Sequence, residues 1–265
     1  MKNLFVLFKS PVITNILLIL LLFSFSLIIY LDRDRILAKF KKIKSEPLIK
    51  LEDNNYLTKD QKLQIKYAKE ILKGGYILFF RHAERYKAEP YQALQVYDAY
   101  EINNSIKAEN TYFEKFVCLN DLGKIQAQMM GQIINDFNIK YSTVVSSSSC
   151  RARQTANIAF KKVDKSYNSL VHQGPWNETK KIFYDDVKKV ILENIPKKNE
   201  NTMIVAHNSV IGRPIFDKVF SENNEYFLQE GGFYLIEIKD GKLNLVFKFR
   251  SFNDFTAALY IRPKD

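Results

Sequence analysis

Apolar positions along this chain fall into two kinds of run, and their spacing predicts most of its elements. The first kind is unbroken. Residues 13–31 are 19 positions without a charge, rich in Leu and Ile, and a helix of about 20 such residues spans the hydrocarbon core of a bilayer. Lys2 and Lys9 ahead of the run would also suit a cleaved signal peptide, with Ser24 and Ser26 near its cleavage site. The apolar run continues through residues 27–31, which favours an uncleaved single-pass anchor.

The second kind of run is short and alternates with amphipathic stretches. Thr58 with Gln61 makes a capping box that opens a helix, and Gly74 ends it. Residues 76–80 read as a buried strand. Residues 121–137 read as a helix with Leu122, Ile125, Met129, Ile133 and Phe137 on one face. A strand at 142–146 leads into a helix over 151–160, then a short strand at 168–171 and a helix over 179–194. A strand at 203–206 and a helix near 209–220 complete the alternation. Residues 233–238 and 243–249 flank Asp240-Gly241, a hairpin signal because this pair accepts the positive φ angles of a tight turn. Strands alternating with helices predict an α/β fold: a three-layer α/β/α sandwich on a mainly parallel sheet, the hairpin adding antiparallel strands at an edge. The predicted organisation is an anchor with a basic juxtamembrane segment over 1–45, a linker over 46–57, and one α/β domain over 58–265.

Charge sharpens this picture. Of the net +11, the first 45 residues supply +6, eight Lys/Arg against two Asp, and the remaining 220 residues only +5. That modest excess suits small anions. It gathers into no patch or basic helix of the kind that predicts a nucleic-acid partner. Six basic residues follow the apolar run, which by the positive-inside rule puts the domain in the cytoplasm. A short tail kept inside while the domain is exported is the opposing topology, and the basic stretch would also rest on anionic headgroups. Cys118 and Cys150 are too few for a disulfide framework or a zinc site. Two unrelated thiols are the simpler expectation, and one disulfide is the alternative if the domain is exported.

The candidate chemistry sits where predicted strands end. Arg81, His82, Ala83 and Glu84 follow the first strand, Arg151 follows the second after a serine loop, and His207 follows the strand at 203–206. In an open α/β sheet such junctions converge on one crevice. Two arginine forks suit phosphate oxygens, a protonated second histidine would share that charge, and a neutral imidazole at His82 could attack phosphorus and carry the phosphoryl group covalently.

Four stretches resemble the signature motifs of the histidine phosphatase superfamily, the phosphoglycerate mutase-like proteins. They are RHAER at 81–85, LNDLG at 119–123, SSSSCRARQTA at 146–156 and VAHN at 205–208, in the family's order over about residues 75–255. The resemblance implies two-step hydrolysis of a phosphomonoester through phospho-His82. The three histidines and the lack of a carboxylate cluster spaced for ligation imply no metal, and no cofactor is expected. It implies Arg81, Arg151 and His207 around the phosphoryl group, Arg153 at a variable neighbouring position, and Arg85 and Asn208 as substrate contacts. Glu84 is expected to support the arginines from behind. Glu178, 27 positions after Arg151 in GPWNE, resembles the proton donor of the mutase-type branch; a helix N-terminal Glu is the plainer reading. The long connection over about 86–117 is expected to cap the pocket, and its Asp98, Glu101 and Glu109 are rival donors. His172 is expected to be a turn residue, with a substrate contact as the alternative. The expected ligand is a phosphorylated small molecule or an envelope glycan or lipid phosphate, with the membrane reached through the N-terminal helix. A phosphotransferase or mutase, or a non-catalytic phosphate-binding membrane protein, are the alternative functions.

Overall fold

Strand and helix alternate in the structure much as the apolar pattern does. The computed structural model describes residues 57–87, 91–171, 180–211, 215–216, 218–219 and 227–261. The expected anchor and most of the expected linker lie outside these residues. Among the described residues, no helix is long and apolar enough to cross a membrane.

The first helix, α1 (Lys59–Lys73), opens on the capping box: Thr58 Oγ1 accepts from Gln61 N, and Gln61 Oε1 accepts from Thr58 N. Strand β1 (Ile77–Arg81) follows, then the cap, made of α2 (Tyr91–Asn104), a 3₁₀ turn at Ala108–Asn110 and α3 (Glu114–Val117). Next come α4 (Asp121–Asp136), β2 (Tyr141–Ser147), α5 (Cys150–Phe160), β3 (Lys165–Tyr167), α6 (Lys180–Glu193) and β4 (Asn201–Ala206). The chain closes with β5 (Lys218–Val219), β6 (Phe233–Lys239), β7 (Lys242–Phe249) and α7 (Phe252–Tyr260). The seven strands form one sheet in the order β3-β2-β4-β1-β6-β7-β5.

Strands β3, β2, β4 and β1 run parallel, and β1 pairs with β4 from Ile77 opposite Thr202 to Arg81 opposite Ala206. Both β1 and β4 therefore end at one level, which sets His82 and His207 side by side. Side chains alternate along β1. Leu78 and Phe80 enter a core shared with α1, α4, α5 and α7, whereas Ile77 and Phe79 enter a second core shared with α6. Burial on both faces explains why β4 is buried at every position and apolar from Met203 to Ala206. This is the three-layer arrangement expected.

Several expectations needed correction. Helix α4 buries Gly123, Ala127, Met130, Gly131 and Ile134, while Leu122, Ile125 and Met129 are exposed. Close backbone approach decides the orientation here: a Cβ at Gly123 would lie 1.8 Å from the Glu84 carbonyl oxygen. The small residues face inward for that reason. Ile133 and Phe137 are partly buried against the first core.

The hairpin forms with Asp240 and Gly241 at φ 52° and 71°, as a tight two-residue turn requires. It is not an added edge, because β6 pairs antiparallel with β1 and β5 lies beyond β7. The third strand is Lys165–Tyr167, and Asn168–Leu170 is a 3₁₀ turn. In place of a helix near 209–220, the described residues show a 3₁₀ turn at Asn208–Val210 and a strand at Lys218–Val219; Gly212 and Pro214 in that stretch are poor helix formers. Cys118 and Cys150 form a disulfide with Cα atoms 5.0 Å apart, which overturns the expectation of unrelated thiols. It ties the end of the cap to the first residue of α5.

Candidate active site

The loop after β1 is held from every side by the backbone-directed bonds that its neighbours supply. His82 N–H donates to the Ala206 carbonyl, Ala83 N–H to Thr155 Oγ1 on α5, and Glu84 N–H to Gln126 Oε1 on α4. Gly231 N–H reaches the carbonyls of Arg81 and His82 at 3.2 and 3.1 Å. The Asn120 side chain caps α4 through Gly123 N–H at 2.7 Å and donates to Glu84 Oε1 at 3.0 Å. The LNDLG motif thus has a physical role. Its Asn caps the helix and orients Glu84, and its Gly lets that helix touch the loop. Glu84, expected to support the arginines, has Asn120 as its described side-chain partner.

Arg81, His82, Arg85, Arg151, His207 and Asn208 all line one cavity of about 270 Å³, together with Leu94, Ser209 and Phe227. The convergence expected from the strand ends is therefore present. Glu178 and His172 lie outside the described residues.

The two imidazoles face each other edge-on, ring centroids 5.2 Å apart, and both are buried. His82 Nδ1 sits 2.7 Å from the Ala83 carbonyl oxygen, which can only accept. Nδ1 must then carry the proton, leaving Nε2 with a free lone pair. Burial, followed by the Arg151 guanidinium, holds this imidazole well below the usual histidine range. His82 is thereby a neutral, one-sided nitrogen base among arginines.

His207 has the opposite tautomer. Arg151 Nη2 lies 3.3 Å from its Nδ1 and can only donate, so Nδ1 accepts. Nε2 lies 3.1 Å from the hydroxyls of both Ser147 and Ser149 and donates to that pair. The serine loop thus orients the second histidine.

The arginines differ in kind. Arg81 is half-buried, donates to the Leu228 carbonyl at 2.6 Å, pairs with Glu230 at 3.3 Å and lies over the Phe227 ring. Burial raises the Glu230 carboxyl above its ordinary range. Arg85 donates to the Tyr86 carbonyl. Arg151 is only 1% exposed, and its two terminal nitrogens bind both carboxylate oxygens of Asp98, itself 0% exposed, at 2.8 Å each. Its Nε is buried without a hydrogen-bond partner among the described residues. Asn208 lines the cavity, yet its Oδ1 accepts from Leu228 N–H at 2.7 Å, so it also fixes the loop beneath Arg81.

Asp98, Glu101 and Glu109, the expected rival donors, are all engaged, and none of the three is among the described residues that line the cavity. Glu101 and Glu109 both pair with Arg153, and Glu101 also accepts from Ala108 and Cys150 N–H. The arginine hydrogen bonds hold the Glu109 carboxyl below its ordinary range against its burial, whereas burial raises that of Glu101. Arg153, expected at a variable position, is the clamp that fastens the cap to α5. Among the described residues one group could ligate a metal, Glu109 with Cys118 and Cys150, and its sulfurs are consumed by the disulfide.

No family model matches the sequence. Among curated proteins, a stretch of 116 residues is 29% identical to the mitochondrial serine/threonine-protein phosphatase Pgam5 of Caenorhabditis briggsae. That stretch covers 35% of this chain and 41% of the relative. Among solved structures, the protein histidine phosphatase SixA complexed with tungstate matches with a TM-score of 0.44 and 11% identity, over 67% of this chain and 98% of that one. YhfR of Bacillus stearothermophilus matches with a TM-score of 0.43 and 12% identity, over 68% and 98%.

Proposed function

We propose that this chain is a histidine phosphatase superfamily member that hydrolyses phosphomonoesters through a phosphohistidine at His82. The observation that carries the reading is the state of His82: neutral by burial, protonated at Nδ1 by the Ala83 carbonyl, and open at Nε2 in a cavity bordered by Arg81, Arg85 and Arg151. In the first step Nε2 attacks phosphorus, the N–P bond forms and the ester P–O bond breaks. The leaving oxygen takes a proton from an acid, for which Glu178 is our choice on its spacing. In the second step water attacks phosphorus, gives its proton to the same carboxylate, and the N–P bond breaks to release phosphate. The arginines neutralise the phosphoryl oxygens throughout, and His207 offers them a hydrogen bond.

The ligand we infer is a phosphorylated small molecule or an envelope glycan or lipid phosphate, reached from a membrane to which residues 13–31 anchor the chain. The arginines supply the charge for this chemistry, so turnover should survive EDTA. The test is a phosphate-release screen on the full-length chain with and without EDTA, His82→Ala serving as the control. Release by the parent, unchanged by chelator and absent in His82→Ala, is expected. Loss with EDTA that a divalent cation restores would replace the mechanism with a metal-dependent one. Glu178→Gln should impair alkyl phosphates more than activated aryl phosphates, because only the former need a proton as the bond breaks. Equal, minor losses would return Glu178 to a helix-terminal role.

A further inference from the structure

Arg151 stands at the cavity as a phosphate ligand should, yet its fork is already filled. Asp98 Oδ1 and Oδ2 receive one hydrogen bond each from Nη1 and Nη2. The remaining terminal hydrogens face the Val117 carbonyl at 3.4 Å and His207 Nδ1 at 3.3 Å. Three of these features matter together. The occupant is a planar dioxygen anion, bound in the bidentate manner that guanidinium offers equally to carboxylate and phosphate. It comes from α2 of the cap, while Arg151 belongs to α5. And the fit is incomplete, because Arg151 Nε is buried without a hydrogen-bond partner among the described residues, and an unmet buried donor is unfavourable. A tetrahedral oxyanion has more acceptor oxygens to offer the same fork.

We propose that Asp98 is a cap-borne competitor for the phosphoryl group at Arg151. A phosphate ligand then enters by displacing a carboxylate, and the non-phosphate half of the substrate must supply contacts that hold the cap away. Asp98 becomes a specificity residue: it discriminates against bare phosphate, which brings charge alone. Leu94, on the same helix and at the cavity, together with the exposed Phe227, offers the apolar surface that such a substrate would touch. The displacement need not unfold the cap. The Cys118–Cys150 disulfide and the Glu101 and Glu109 pairs with Arg153 tether it independently of Asp98.

This inference rests on the phosphatase reading, and its test separates the two. Orthovanadate and inorganic phosphate are titrated into the full-length parent and Asp98→Asn, which keeps the shape and removes the charge. Binding should tighten by about tenfold or more in Asp98→Asn, with KM falling while kcat is retained, a change of about 1.4 kcal/mol. Weaker binding, or a fall in kcat with KM unchanged, would make Asp98 a supporting partner of Arg151 and overturn the proposal.

Removing one partner of a buried ion pair often destabilises a protein, so a second measurement uses the parent alone. Saturating vanadate should speed amide hydrogen exchange in α2 while slowing it in the loop after β1. Unchanged or slower exchange in α2 with vanadate bound would refute the competition yet leave the phosphatase reading standing. Vanadate binding to neither protein would remove both.

Discussion

The loop after β1 and the cap both border the same cavity, but they are held in different ways. The loop is fixed by its own main chain. The amides of His82, Ala83 and Glu84 each have a partner on a different element, and Gly123 lets α4 rest directly on it. The cap is fixed by side chains: Asp98 to Arg151, Glu101 and Glu109 to Arg153, and one disulfide. Each of these bonds starts from a main-chain N–H that has no side-chain torsion to turn it away, with Ala206 O, Thr155 Oγ1 and Gln126 Oε1 as acceptors. Charged side-chain pairs can exchange one anion for another. On the proposed mechanism the first kind of bond positions the nucleophile and the second kind admits a charged ligand.

That contrast can be tested from each side. The largest effect on stability should come from the cap. Replacing Cys118 and Cys150 with Ser, or reducing them, releases a crosslink over 32 residues, and the loss expected for such a loop is about 4 kcal/mol. Thermal melts under oxidising and reducing conditions measure it. Turnover per folded molecule should persist, since no backbone bond of the nucleophile loop depends on the crosslink. Abolished turnover in a still-folded reduced protein would mean that the cap also sets the catalytic geometry.

Gly123→Ala should cost somewhat less stability, about 2 kcal/mol from overpacking, and much more activity. Its Cβ would lie 1.8 Å from the Glu84 carbonyl oxygen, so the loop bearing His82 must shift. Kinetics on the purified variant should show kcat falling at least about tenfold, the sensitivity expected when reacting groups move by a fraction of an ångström. An unchanged kcat would show that the loop tolerates displacement.

The smallest effect is electrostatic. His82 is held below its ordinary value, so between about pH 6.5 and that lower value the unfolded chain binds a proton that the folded chain refuses. Stability therefore rises with pH across this window. It is lost as pH falls from about 6.5 and levels off below the folded value. His82→Gln lacks the term and should melt with a flatter acid limb; identical limbs would mean that His82 is not held neutral.

What the sequence disclosed follows the same divide. The junctions that carry Arg81, His82, Arg151 and His207 were legible, because strand ends are local events marked by apolar runs. So were the Thr58–Gln61 box and the Asp240-Gly241 turn, which depend on neighbouring residues alone. The orientation of α4 was not, since the large apolar side chains point outward and the small ones permit the contact. The carboxylate partners of Arg151 and Arg153 lie 44 to 53 positions away in sequence, and nothing local distinguishes a carboxylate that will meet an arginine from one that faces water. The pairing of Cys118 with Cys150 was hidden for the same reason. Glu230 was missed beside Arg81, though its place in the approach to β6 was the one available hint.

The central claim is that His82 carries the phosphoryl group, and trapping that adduct tests it most directly. The full-length chain is mixed with a phosphomonoester it turns over and quenched in alkali, where phosphohistidine survives. Peptide mass spectrometry then locates the phosphate. The account predicts a phosphate on His82 that forms and decays at the rate of turnover, is destroyed by acid, and is absent from His82→Ala. Steady phosphate release with no phosphohistidine at this position, or release that continues in His82→Ala, would contradict it.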